Sequence, residues 1–233
     1  MNLEIFEEEL KKININLTDT QKYQLNKYYE LLVEYNKVMN LTGITEKEEV
    51  YLKHFYDSLS ISKIIDIDSQ ENLCDIGTGA GFPGLVLKIV YPNLKVMLVD
   101  SLNKRIRFLK IVIDELELKD IEAEHARAEE YGIKHREVYD IVTARAVAST
   151  SVLLEYGAPL IKTGKYFIAM KGNLSSDEKY DNASKELKME LEAELKFKLP
   201  LEKSERTLLK FVKTEKTPRT YPRKNAEIKK NNL

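Results

Sequence analysis

Between residues 18 and 40 apolar side chains return every three or four positions, with Leu25, Tyr28, Leu32, Tyr35 and Met39 near one face. That spacing predicts an amphipathic helix. Thr18 followed by Gln21 gives a capping-box start, and Asn40-Leu41-Thr42-Gly43 gives a stop, because glycine ends helices readily. A second helical pattern covers 46–65, with Leu52, Phe55, Leu59 and Ile61 among its apolar positions. Near residue 72 the pattern changes. Strand-like runs at 72–76, 95–100, 121–126, 139–145 and 165–172 alternate with helical stretches near 84–91, 103–117, 128–135 and 151–161. Alternating units of this length imply a mostly parallel sheet covered on both faces. A charged helix is predicted at about 176–191, then two strands near 194–200 and 207–213, close enough in sequence to pair antiparallel at a sheet edge.

Composition narrows the class. With 43% apolar and 32% charged residues over 233 positions, the chain can bury a sizeable core. No uncharged apolar run approaches the ~18–20 residues of a membrane span. The opening MNLEIFEEELKK is acidic and lacks a signal core, so a cytoplasmic location is expected. One cysteine, Cys74, excludes an internal disulfide, and within its strand it reads as a small core residue. His54, His125 and His135 lack metal-ligand spacing, so no metal site is expected. The net charge of −1 hides an asymmetry: residues 201–233 hold ten Lys/Arg against four Glu, and the first 200 residues carry −7. A basic tail suits a polyanionic partner such as nucleic acid, or is simply solvated.

The candidate chemistry lies at 77–84. Four of the nine glycines fall there, in Gly77-Thr78-Gly79-Ala80-Gly81-Phe82-Pro83-Gly84, after the first strand of the alternating region and opening its first helix. A tight turn accounts for one or two glycines; four suit a loop whose backbone approaches a nucleotide-type cofactor. Residues 79–84 satisfy G-x-G-x-x-G, the dinucleotide fingerprint, while 75–81 read Asp-x-Gly-x-Gly-x-Gly, the pattern of S-adenosylmethionine-dependent methyltransferases. Asp100 ends the next strand, where a carboxylate meets ribose hydroxyls in either case. No separate catalytic domain follows to supply hydride-transfer groups, which tilts the reading toward a methyltransferase. An NAD(P)-dependent oxidoreductase and a non-catalytic RNA-binding protein of the same fold are the alternatives.

The local sequences are more specific. Asp75 to Gly84 resembles the cofactor loop of the RsmG (GidB) family of bacterial 16S rRNA methyltransferases. Tyr35-Asn36-Lys37-Val38-Met39-Asn40-Leu41-Thr42 resembles its W-N-x-x-x-N-L-T signature, with Tyr for Trp, and His54 to Leu59 resembles H-x-x-D-S-L. Asp100 to Arg105 with Phe108-Leu109, Arg127 to Glu130, Arg145-Ala146, Lys171-Gly172 and Tyr221-Pro222-Arg223-Lys224 match further segments in order. After the last of these the family's Pro-Gly is replaced by Asn225-Ala226.

That resemblance implies a Rossmann-like class I α/β domain over 67–216, built on a mostly parallel seven-stranded sheet. An N-terminal helical extension covers 1–66 and a basic tail 217–233. It implies methyl transfer from S-adenosyl-L-methionine to N7 of one guanine in the decoding-region loop of 16S rRNA, with the rRNA or the small subunit as partner and a monomeric enzyme. Cofactor contacts are implied at Gly77, Gly79, Gly81, Phe82, Asp100, Ser101, Leu102, Ala128, Glu129 and Arg145. Arg145 follows a strand at its carboxyl end, where it would meet a cofactor carboxylate or an rRNA phosphate. Lys171, one strand over, has the same reading. These two are the candidates for positioning, and Arg145, Lys171, Arg219, Arg223 and Lys224 are the candidates for RNA contact. Guanine N7 has an in-plane lone pair and loses no proton on methylation, so no general base is required and catalysis by positioning is expected.

Overall fold

Five parallel strands and an antiparallel pair form one sheet in the computed structural model, which describes residues 1–145, 148–174 and 178–233. The strands are β1 (Asn72–Ile76), β2 (Lys95–Asp100), β3 (Ile121–His125), β4 (Tyr139–Arg145), β5 (Ile161–Lys171), β6 (Met189–Lys198) and β7 (Glu205–Lys213), in the spatial order β3-β2-β1-β4-β5-β7-β6. β7 runs antiparallel to both of its neighbours, with its Lys210 opposite Ile168 of β5 and its Leu208 opposite Leu195 of β6. The chain leaves β1 toward β2 on one side and β4 on the other. That reversal of strand order opens a crevice at the carboxyl ends, where open α/β sheets place their ligands.

One face of the sheet is covered by α1 (Leu3–Lys11), α2 (Asp19–Met39), the helical segment from 47 to 63, α5 (Gly84–Val90) and α6 (Asn103–Glu115), sharing a core around Phe6, Tyr28, Phe55, Leu85 and Phe108. The N-terminal helices therefore share one core with the sheet. The other face packs α7 (Ala128–Lys134), α8 (Thr150–Gly157) and α9 (Asp181–Leu187) over Cys74, Val142, Phe167 and Phe211. The last element is α10 (Asn225–Lys230), whose Ile228 is fully buried.

The caps form as the sequence indicates. Thr18 Oγ1 accepts the Gln21 amide at 3.2 Å while Gln21 Oε1 accepts the Thr18 amide at 2.8 Å. At the far end of α2, Asn40 takes the left-handed conformation with φ 51°. Asn36 staples the exit, its Oδ1 accepting the Leu41 and Thr42 amides at 2.6 and 2.9 Å.

Two elements differ from expectation. The stretch 46–65 is helical but not a regular α-helix. It runs through α3 (Lys47–Val50), a π-helical turn (Tyr51–Tyr56), α4 (Asp57–Leu59) and a 3₁₀ turn (Ser60–Lys63). The wide π turn buries Tyr51, Leu52, His54, Phe55 and Tyr56 together, more than one face of an α-helix presents. The charged helix expected at 176–191 ends early. Lys188 at φ 61° stops α9 and β6 starts at Met189. Apolar Met189, Leu191, Ala193, Leu195 and Phe197 alternate with Glu and Lys through β6, the period-2 pattern of a strand with one wet face. As the outermost strand β6 carries many charges, as edge strands do, and those charges imitate a solvated helix.

Candidate active site

The loop after β1 makes the floor of the crevice. Gly77 (φ 67°) and Gly79 (φ 63°) adopt left-handed backbone conformations, which side chains with a Cβ enter only at a cost. The Gly77 amide donates to the Val99 carbonyl at 2.8 Å, and the Gly79 amide to Asp100 Oδ2 at 2.9 Å. Asp100 also accepts the Leu102 amide at 2.9 Å and pairs with Arg105 at 3.2 Å. Its carboxylate thus ties the loop to the start of α6.

Above this floor is a cavity of about 440 Å³ lined by Ile76, Gly77, Val99, Asp100, Ser101, Ala126, Arg127, Ala128 and Glu129 from the strand ends and α7. Ala148, Val152, Leu153 and Tyr156 close one side, and Asn225, Lys229 and Asn232 of the C-terminal segment complete it. Its size suits a small-molecule ligand. Of the sequence-derived cofactor residues, Gly77, Asp100, Ser101, Ala128 and Glu129 meet here.

Others do not. Gly81 faces the helices: a Cβ there would lie 2.7 Å from the Tyr28 hydroxyl and 2.9 Å from Leu109 Cδ2. Packing of α2 against the loop therefore requires glycine there, and Gly81 is not among the residues that line the cavity. The Phe82 side chain also turns inward, stacked on Tyr28 at 5.5 Å and on His54 at 4.4 Å between ring centroids. Leu102 is the cap residue of α6, and its half-exposed side chain is not part of the cavity wall.

Asp75 lies beneath the loop, fully buried. Its Oδ2 accepts Thr78 Oγ1 at 2.7 Å and the Gly84 amide at 2.8 Å, while Oδ1 has no partner. Burial pushes this carboxyl up to about 7, against the pull of those two hydrogen bonds and of Arg145. A buried, unpartnered carboxylate oxygen is costly and suits a cationic donor.

Arg145 belongs to a second cleft, of about 330 Å³, lined by Ile44, Lys53, His54, Asp57, Arg145, Met170, Lys171, Gly172, Arg206 and Leu208. Asp57 is sandwiched between Arg145 at 3.3 Å and Arg206 Nε at 2.8 Å. Arg145 also donates to the Lys53 carbonyl at 3.2 Å and to His54 Nδ1 at 3.3 Å, and its guanidinium lies 5.0 Å from the Phe82 ring centroid. Burial, reinforced by Arg145, lowers the His54 pKa to about 3, so the imidazole is neutral. With Nδ1 accepting from Arg145, Nε2 carries the hydrogen and donates to Thr42 Oγ1 at 2.9 Å. Thr42, His54 and Asp57, on motifs of the N-terminal helices, thus aim the guanidinium of a residue on β4.

Lys171 donates to the Ala148 carbonyl at 2.7 Å and pairs with Glu178 at 2.9 Å. Because Ala148 also lines the first cavity, Lys171 connects the two. Ala146 of the Arg145-Ala146 match lies outside the described residues. The tail residues part company: Arg219 and Lys224 are exposed, but Arg223 forks onto buried Glu155 at 2.8 and 2.7 Å. The expected phosphate grip of Arg223 is corrected to a clamp. Sequence reasoning missed Tyr156, Asn225 and Lys229 in the first cavity, and Lys53 and Arg206 in the second. Only the fold brings them there, and no local motif marks them; Asp57 lies in the H-x-x-D-S-L segment, but nothing local signals its contacts with Arg145 and Arg206. Among the described residues no cluster of His, Cys, Asp and Glu is arranged for a metal, and no helix is long and apolar enough to cross a membrane.

Comparison with known proteins agrees with this geometry. The family model described as GidB, rRNA small subunit methyltransferase G, matches residues 21–209. The chain is 52% identical over 228 residues to the ribosomal RNA small subunit methyltransferase G of Lysinibacillus sphaericus, covering 96% of each, and 49% identical over 230 residues to that of Staphylococcus carnosus, covering 96% of this chain and 95% of the relative. Its fold is similar to that of a SAM dependent methyltransferase from Aquifex aeolicus, with TM-score 0.54 and 15% identity over 72% of this chain and 94% of that one. A shared family spanning nearly the whole chain sets aside the oxidoreductase alternative, and the chain belongs to the rRNA small subunit methyltransferase G (GidB) family.

Proposed function

We propose that this protein methylates N7 of a single guanine, position 527 of 16S rRNA, with S-adenosyl-L-methionine in the first cavity and the target nucleotide in the second cleft. The observation that carries this reading is the pair of clefts on neighbouring strand ends, one cradled by the glycine loop and one lined by Lys53, Arg145, Lys171 and Arg206. The bound cofactor supplies an activated methyl group. Gly77, Asp100 and Glu129 would hold it, and the unpartnered Oδ1 of Asp75, which is buried at the base of the loop and is not among the residues lining the cavity, suits the ammonium of its amino-acid end. N7 keeps its lone pair available without loss of a proton, so the residues' task is alignment and exclusion of water. Neutral His54 supplies no charge; it fixes the Arg145 fork. Each of the four cations of the second cleft already pairs with a carboxylate, Lys53 with Glu49 and Glu202, Arg145 and Arg206 with Asp57, and Lys171 with Glu178, and would share that pairing with phosphates flanking the base.

The test is transfer of labelled methyl from S-adenosylmethionine to small-subunit rRNA, offered naked and as assembled subunit, followed by mapping. One 7-methylguanine in the decoding-region loop is expected. Label on another atom or at many sites would overturn the assignment.

Asp75 adds a pH signature. Protonated in the free protein below about 7, it must ionise to receive an ammonium. Affinity for S-adenosylhomocysteine is therefore expected to fall as pH drops below 7, by up to ~10-fold per unit, and to level off above it. Asp75→Asn should bind weakly and without that slope in calorimetric titrations from pH 5.5 to 8.5. A flat wild-type profile would contradict the role given to Oδ1.

A further inference from the structure

The C-terminal segment carries the features of a cofactor-binding element. It is fastened at several points. Arg136 donates to the carbonyls of Tyr221 and Thr217, each at 2.6 Å. Pro222 is buried against α7, and a Cβ on Gly132 would come 3.5 Å from its Cγ. Arg223 grips Glu155, which is 1% exposed, through both its fork and its backbone amide. Ile228 is fully buried. These anchors set Asn225 and Lys229 into the wall of the first cavity, which Gly77 and Asp100 also line.

We propose that Asn225 and Lys229 are cofactor-binding residues, and that the clamped C-terminal segment is the wall that closes over the adenosine part of S-adenosylmethionine. This rests on reading the first cavity as the cofactor site. The Tyr156 hydroxyl donates to Asn225 Oδ1 at 2.8 Å, which commits the carbonyl and leaves the amide N–H groups as donors. An adenine ring offers nitrogen acceptors at its edge, and a ribose offers hydroxyls; both match a side-chain amide. Lys229 brings a cation to a cavity whose other ionisable groups include Asp100 and Glu129, and it suits the ribose oxygens between them. The basic character of the tail is thereby divided by position. Arg223 is spent on Glu155 and Lys229, itself exposed, lines the cavity, which leaves Arg219, Lys224 and Lys230 as exposed charges away from it.

Calorimetry and stopped-flow displacement of S-adenosylhomocysteine from the full-length chain test this. The wild type is expected to bind, and Asn225→Ala with Lys229→Ala to bind at least ~10-fold more weakly, chiefly through faster dissociation. The control Lys230→Ala, which removes the same single charge from a residue outside the cavity lining, should bind as the wild type does. Asn225→Asp keeps an oxygen for Tyr156 but removes the amide donors, so it should be as weak as Asn225→Ala. Wild-type affinity in Asn225→Asp, or in the double variant, would overturn the proposal while leaving the cavity assignment intact. Failure of the wild type itself to bind would instead remove the cavity reading, and this proposal with it.

Discussion

Replacement of Gly77 by valine is expected to abolish measurable S-adenosylhomocysteine binding in a protein that still folds. Gly77 holds φ 67° at the lip of the cavity, with its amide committed to Val99. A β-branched residue pays ~1–2 kcal/mol or more to adopt that conformation, and it adds bulk to a position that lines the cavity. Either consequence alone weakens binding about tenfold for each ~1.4 kcal/mol, so a loss of at least ~100-fold is expected. The folding cost is small against a core of this size, and a fall in Tm of roughly 2–8 °C is expected. Gly77→Ala should fall between the two. Circular dichroism with calorimetry on the same samples reads both effects, and unchanged affinity in a folded Gly77→Val protein would refute the loop's role.

Arg145→Lys should separate chemistry from cofactor binding. Lysine keeps the charge and loses the planar fork that meets Asp57, His54 and the Lys53 carbonyl together and lies over Phe82. Asp57 retains Arg206 at 2.8 Å, so its buried charge is not abandoned and the fold survives. Methyl transfer under single-turnover conditions is expected to drop about 100-fold, in line with the ~2–5 kcal/mol lost when one member of a buried, hydrogen-bonded charge pair is removed. Affinity for S-adenosylhomocysteine should stay within about 3-fold. An equal fall in both would move Arg145 into the cofactor site, where the family resemblance alone would put it.

What the sequence made legible was whatever is encoded locally. The capping box at Thr18, the stop at Asn40, the strand–loop–helix at 72–90 and the acidic end of β2 are each set by residues within a few positions of one another. Period-2 alternation in β6 was equally present, but its glutamates and lysines dominated the reading. The π turn was not legible, because the pressure that widens it is the burial of five neighbouring residues against α1 and α2. The site divides the same way. Gly77 and Asp100 are marked by their own motifs and line the first cavity, whereas the packing of Gly81 and Phe82 against Tyr28 is set by a residue some fifty positions away that no local motif reveals. Arg223 looked like a phosphate ligand until Glu155, 68 residues earlier, claimed it.

The contact between Tyr28 and the glycine loop bears on the order in which the molecule is made. The Tyr28 hydroxyl donates to the Ala80 carbonyl at 2.5 Å and occupies the space that a side chain at Gly81 would fill. A nascent chain exposes α2 first, and some fifty residues must follow before the loop arrives to cover Tyr28. During that interval the apolar stripe of α2 is uncovered and open to misassociation. The loop in turn takes its shape on a template already synthesised, so a fragment that starts at β1 would carry the glycine motif without the surface that moulds it.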